Sequence, residues 1–136
     1  HPGIELWIEE AGLLNIGRPV SLDVAGTWPK QEFDAVFSAN TTHIMSWPEV
    51  EHLLNGVGRI LQSGGCFALY GPFNYAGEYT SESNRSFDQW LKLRDPMSGI
   101  RNFEDLDELA RNNDLVFQED ITMPVNNRIL VWCKKP

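Results

Sequence analysis

The stretch Phe33–Phe73, FDAVFSANTTHIMSWPEVEHLLNGVGRILQSGGCFALYGPF, decides the fold. Phe33 to Ala39 is an apolar run of strand length, as a central parallel strand covered on both faces requires. It stops at the polar cluster Asn40-Thr41-Thr42-His43. In open α/β sheets, ligands bind beyond that carboxyl end. Ser46 and Glu49 form a capping box, and Pro48 falls in the first helical turn, where a missing N–H does no harm. Val50, Leu53, Leu54, Val57 and Leu61 then recur at helical spacing and predict one buried face. Gly64-Gly65 are expected to end this helix and turn the chain. Cys66 to Tyr70 reads as the next strand, closed by Gly71-Pro72. The unit is β-α-β, with the right-handed crossover that parallel strands adopt.

Upstream, Ile4, Trp7, Ile8 and Ala11 predict a short amphipathic helix, and Pro19–Val24 a strand that carries Asp23 near its end. Downstream, the polar segment 74–82 carries Tyr75 and Tyr79. Its length and aromatics suit a substrate-covering segment, or equally a surface loop with two half-buried tyrosines. Phe87, Trp90, Leu91 and Arg94 mark one face of a helix that stops before Pro96. Asn102 is placed to cap another, with Phe103, Leu106 and Ala110 as its buried face. Leu115–Met123 and Arg128–Lys134 flank a turn around Pro124–Asn127 and predict an antiparallel hairpin. Parallel α/β units that end in an antiparallel hairpin are an unusual combination.

The chain has 136 residues, enough for one domain over residues 1–136. Its net charge is −8 and no basic cluster occurs, which disfavours nucleic-acid binding through phosphates. No run approaches the length of a membrane span. The two cysteines, Cys66 and Cys133, have no metal-ligand spacing, so no metal site is expected. They read as buried free thiols of a reducing, cytoplasmic compartment.

The order of elements resembles the second part of a class I S-adenosylmethionine-dependent methyltransferase. Phe33-Asp34-Ala35-Val36 with Asn40 and His43 resembles the fourth-strand motif of small-molecule methyltransferases. Arg59-Ile60-Leu61-Gln62-Ser63-Gly64-Gly65 resembles the turn before the fifth strand, with Ser63 where proline is usual. More closely, the chain resembles a methyltransferase-like family long held as a bacterial domain of unknown function. Ser38–Ile44, Tyr70–Phe73, Arg94-Asp95-Pro96, Gly99-Ile100-Arg101 and Met123–Asn127 carry that likeness, which extends over essentially all of the chain.

The resemblance implies a partial Rossmann-like α/β sheet of parallel strands flanked by helices, closed by an antiparallel hairpin whose last strand slips between its predecessors. That geometry would bring Cys133 close to Cys66, with both expected to be reduced. Family members also begin with a strand, a Gly-rich turn, a helix and a second strand ending in an acid. No such turn occurs here, so an N-terminally truncated domain lacking the first two strands is expected, binding S-adenosylmethionine weakly or not at all. A homodimer is expected through the sheet edge so exposed.

The function implied is methyl transfer to a small-molecule acceptor. The alternative is a cofactor-free copy that serves as a protein-interaction module. By resemblance, Asp23 and Val24 meet the adenine, and Asn40 and Thr41 lie at the sulfonium end of the cofactor. His43 is the candidate base, because an imidazole titrates near neutrality; it could equally fix a loop through a hydrogen bond. Tyr70, Pro72 and Phe73 leave the strand at the same edge. Asn126 and Asn127 offer two amides to orient an acceptor, although asparagine also suits turns for its own sake. His52 and the five tryptophans are expected to be structural.

Overall fold

The computed structural model describes residues 32–136. The elements are β1 (Phe33–Ala39), α1 (Trp47–Ile60), β2 (Leu61–Gly71), α2 (Glu82–Arg94), α3 (Phe103–Arg111), β3 (Leu115–Met123) and β4 (Asn127–Lys134). The strands form one mixed sheet in the order β1-β2-β4-β3. β1 is parallel to β2, and β4 runs antiparallel between β2 and β3. This is the α/β architecture expected, with the last strand inserted between its predecessors. The helix and strand expected before Phe33, and the dimer contact expected on them, lie outside the described residues. The Phe33–Ala39 strand expected to be the open edge is β1, at one end of the sheet that the described residues form.

Alternation along the strands puts apolar side chains on the face that α1 and α3 cover. Register sets Phe67 beside Trp132 and Leu69 beside Leu130. Val50, Leu53, Leu54 and Val57 of α1 and Leu106 and Ala110 of α3 pack against them. The capping box forms as the sequence predicts: the Glu49 N–H donates to Ser46 Oγ at 3.4 Å, and the Ser46 N–H to Glu49 Oε1 at 3.0 Å.

Three expectations about elements are corrected. First, α1 ends at Ile60, and Leu61 is already extended as the first residue of β2. Residues 62–65 are then an irregularity within the strand, because Phe33 pairs with Leu61 while Ala35 pairs with Cys66. The glycines serve that detour: Gly64 is left-handed at φ 83°, and a Cβ on Gly65 would lie 2.8 Å from the Asp34 carbonyl. Second, α2 buries Asn84, Asp88 and Leu91, whereas Trp90 and Arg94 are exposed. A polar face turned inward defeats a reading based on apolar spacing. Third, Asn102 does occupy the N-cap position of α3, but its side chain makes no capping bond. It donates instead to Asp105 Oδ2 at 3.2 Å.

Cys66 and Cys133 are register partners across β2 and β4, with Cα atoms 4.1 Å apart, as the inserted last strand implies. They are joined in a disulfide, which corrects the expectation of free thiols. The antiparallel ladder places the two side chains opposite each other on one face, a coincidence of register that cysteine spacing does not disclose. No helix among the described residues is long and apolar enough to cross a membrane.

Candidate functional site

β1 and β2 are parallel, so both deliver their carboxyl ends to the same edge. The Asn40 N–H donates to the Tyr70 carbonyl at 2.9 Å and holds the two exits together. Asn40 itself is left-handed at φ 55°, a conformation that asparagine accepts more readily than most residues. Its carboxamide makes no hydrogen bond to the described residues. Beyond these exits lies a cleft of about 280 Å³ lined by Asn40, His43, Pro72, Ser83, Asn84, Phe87, Val125 and Asn127.

Four sequence-predicted residues, Asn40, His43, Pro72 and Asn127, therefore meet in one place. The others are distributed differently. Thr41 turns back, its hydroxyl 2.7 Å from that of Ser38, and does not line the cleft. Tyr70 contributes its carbonyl to the Asn40 tie rather than a side chain to the cleft wall. Phe73 is fully buried in the hydrophobic core, because the chain turns inward after Pro72. Asn126 is left-handed in the hairpin turn and acts as a brace. Its Nδ2 donates to Ser83 Oγ at 3.2 Å, and its carbonyl accepts from Asn84 Nδ2 at 3.5 Å. Asp23 and Val24 lie outside the described residues. His52 is exposed on α1.

His43 is buried, and its imidazole has no hydrogen-bond partner among the described residues. The ring meets Phe87 edge-to-face, with centroids 5.5 Å apart. Burial pushes its pKa below the ordinary 6.5, and the Arg101 guanidinium adds to the effect. The imidazole is thus neutral at pH 7 and able to accept a proton.

Ser83, Asn84, Phe87 and Val125 are cleft residues that the sequence reading missed. Asn84 and Phe87 sit one helical turn apart on α2, and a polar residue beside an apolar one on an inward face was the only available signal. Asn84 is also bound to Thr80 Oγ1 at 3.0 Å, so it stiffens the wall. The segment 74–81 is not a free cover over the cleft. Tyr75 donates to Asp120 Oδ2 at 2.6 Å, and Tyr79 donates to Asp88 Oδ2. Both tyrosines fasten the segment to the framework, and burial with the Asp120 bond pushes the Tyr75 hydroxyl above its ordinary pKa.

A family model described as a protein of unknown function (DUF938) matches residues 1–134, so the chain belongs to that family. Among solved structures it is similar to a LepI point variant in complex with SAH and a substrate analogue. The TM-score is 0.77 at 14% identity, covering 97% of this chain and 40% of that one. It is similar to human N-acetylserotonin methyltransferase in complex with SAM, with TM-score 0.68, 15% identity, and 81% and 32% of the two chains covered. An O-methyltransferase family 2 protein from Planctomyces limnophilus, in complex with apigenin, gives TM-score 0.70 at 14% identity over 78% and 31%. At these identities the likeness establishes a methyltransferase-like fold. The chain spans 40% or less of the length of each of these structures.

Proposed function

We propose that this chain carries the acceptor-side half of an S-adenosylmethionine-dependent methyltransferase that acts on a small-molecule acceptor. One observation carries the reading. A neutral imidazole, His43, stands in a cleft at the carboxyl edge of two parallel strands with the Asn40 carboxamide, and neither side chain has a hydrogen-bond partner among the described residues. That edge is where α/β sheets hold ligands.

The residues present fit such a cofactor in what they offer. The Asn40 carboxamide, without a hydrogen bond to the described residues, follows β1, where the fold's carboxyl edge would receive the sulfonium end. When bound, S-adenosylmethionine supplies an electrophilic methyl group. The chain's own residues then have modest work, because methyl transfer needs alignment, dryness and removal of one proton. Asn40 would hold the cofactor. Asp23 and Val24 would meet its adenine. Asn127 and Ser83 would orient the acceptor, Phe87 and Pro72 would keep water out, and a ring nitrogen of His43 would take the proton of the acceptor's attacking group. In this reading the chain by itself binds the cofactor weakly, since the sequence has no Gly-rich turn. A low-micromolar dissociation constant (about −8 kcal/mol) for S-adenosylhomocysteine in calorimetry would overturn that part.

The test of function uses the full-length protein with labelled S-adenosylmethionine and a panel of small acceptors. His43→Gln is expected to lower kcat by about a hundredfold or more while leaving affinity for S-adenosylhomocysteine unchanged. Transfer at the wild-type rate would remove His43 from the role of base.

A further inference from the structure

His43 lies on a turn, not on a helix or strand, so something other than regular structure must fix it. The turn is closed by the Ile44 N–H donating to the Thr41 carbonyl at 3.1 Å, and its start is tied to the sheet by the Asn40 N–H and by the Thr41 hydroxyl beside Ser38. Among the described residues, the bonds to its Thr42, His43 and Met45 carbonyls come from the connection between α2 and α3. The Gly99 N–H donates to the His43 carbonyl at 2.9 Å. Arg101 Nε donates to the Thr42 carbonyl at 3.1 Å, and its guanidinium also donates to the Met45 carbonyl. The same guanidinium donates to the Met97 carbonyl at 2.9 Å and rests over the Trp47 ring, 5.7 Å from its centroid. One side chain therefore ties together the residues on both sides of His43, the connection that also touches His43, and the first turn of α1.

We propose that Arg101 is the positioning residue for His43, clamping the Thr41–Met45 turn so that the imidazole is presented to the cleft. A guanidinium suits this task because its planar fork places several N–H donors in fixed directions. Lysine would bring the charge without the fork. No carboxylate is hydrogen-bonded to Arg101 among the described residues; its partners are three carbonyls. Its charge acts on the imidazole and lowers its pKa. Asp88, on α2, is the carboxylate that bears on Arg101, from behind the connection. Of the other elements packed on His43, α2 presents the uncharged Phe87 and the end of β2 presents Gly71. Arg101 is thus placed both to aim the base and to keep it unprotonated.

The inference rests on His43 serving as the base, but its test can be read without turnover. Hydrogen exchange at the Ile44 and Gly99 amides reports the clamp, and NMR titration of the His43 ring reports the charge. In the wild type, both amides should be protected and His43 should titrate below its ordinary value. Arg101→Lys is expected to speed exchange at both amides by about tenfold or more, while the titration stays low because the charge remains. Arg101→Met should speed exchange and also move the titration midpoint upward. In a turnover assay, Arg101→Lys should lower kcat with little change in KM. Unprotected amides in the wild type, or exchange unchanged in Arg101→Lys, would overturn the clamp. If instead His43→Gln keeps full activity while these exchange effects appear, the clamp stands and the base assignment falls.

Discussion

The two ends of the sheet are held together by different chemistry. At the hairpin side, β4 is zipped to β2 by a continuous ladder and to β3 by one broken only between Phe117 and Glu119, and Trp132 sits fully buried among rings. It stacks near Phe67 at 6.1 Å and Phe103 at 6.4 Å, with Phe117 edge-on at 5.8 Å. At the cleft side, the chain between elements is irregular, and single polar side chains do the joining. Arg101 gathers three carbonyls. Asp88, 1% exposed, accepts from Tyr79, from the Ile100 N–H at 2.8 Å and from Lys92 at 3.0 Å. The framework is therefore a matter of area and packing, which tolerates shape-conserving change. The cleft is a matter of specific donors and acceptors, where losing one partner leaves another buried and unpaired.

That contrast can be broken first where the framework is densest. Trp132→Ala should cost about 4 kcal/mol of unfolding free energy, measured by denaturant titration, because it empties the centre of the ring cluster and strips Asp107 of the indole donor at 3.0 Å. A loss under about 1 kcal/mol would mean that the rings do not form the common core described. The next effect belongs to the cleft side. Asp88→Ala should cost about 3 kcal/mol, since it leaves the Ile100 amide and the Tyr79 hydroxyl without their acceptor. Unlike Trp132→Ala, it should also loosen the connection that carries Arg101, seen as faster exchange at Gly99.

Asp88 also gives its loss a pH signature. Burial raises its pKa, but the bonds from Tyr79, the Ile100 N–H and Lys92 outweigh burial and leave it below the ordinary 3.8. A depressed carboxylate contributes stability that is present above its unfolded value and is lost as pH falls through the folded one. The wild type should therefore lose this contribution below about pH 4, and Asp88→Ala should show a flatter acid limb.

The same division decides what could be read from sequence. Val50, Leu53, Leu54 and Val57 announced α1 because burial repeats with the helical period, and the hairpin strands announced themselves by their β-rich runs around a turn. Asn40, His43, Pro72 and Asn127 were legible as site residues because strand ends and turns are marked by composition. Asp88, Asn84 and Arg101 were not. Each is polar, lies in or beside a helix, and takes its meaning from partners that sequence order does not reveal, as far off as the 59 positions between Arg101 and Thr42. Phe73 misled for the complementary reason. Its position after Gly71-Pro72 predicted the edge, while a single inward turn of the backbone delivered it to the core. The closeness of Cys66 and Cys133 was implied by the inserted last strand, whereas their disulfide was missed, because it is set by the register of two strands across 67 positions of sequence.

The smallest effect expected is the most direct comparison of the two regions, because it isolates one titrating group. His43 is held below its ordinary 6.5 by burial first and by Arg101 second. The unfolded chain therefore binds a proton in a pH range where the folded chain does not, and stability rises with pH across that range. The contribution is fully present above about pH 6.5 and is lost as pH falls from there through the folded value. Thermal or denaturant unfolding of the wild type between pH 7.5 and pH 5.5 (about the range an ordinary imidazole spans) should show stability declining with acid. His43→Gln should flatten that slope, and Trp132→Phe, which keeps the framework ring, should not. Arg101→Met should flatten it only in part, because burial remains after the charge is gone. A slope identical in the wild type and His43→Gln would show that the imidazole is not shielded from protonation, and that the cleft side is more open than its hydrogen bonds describe.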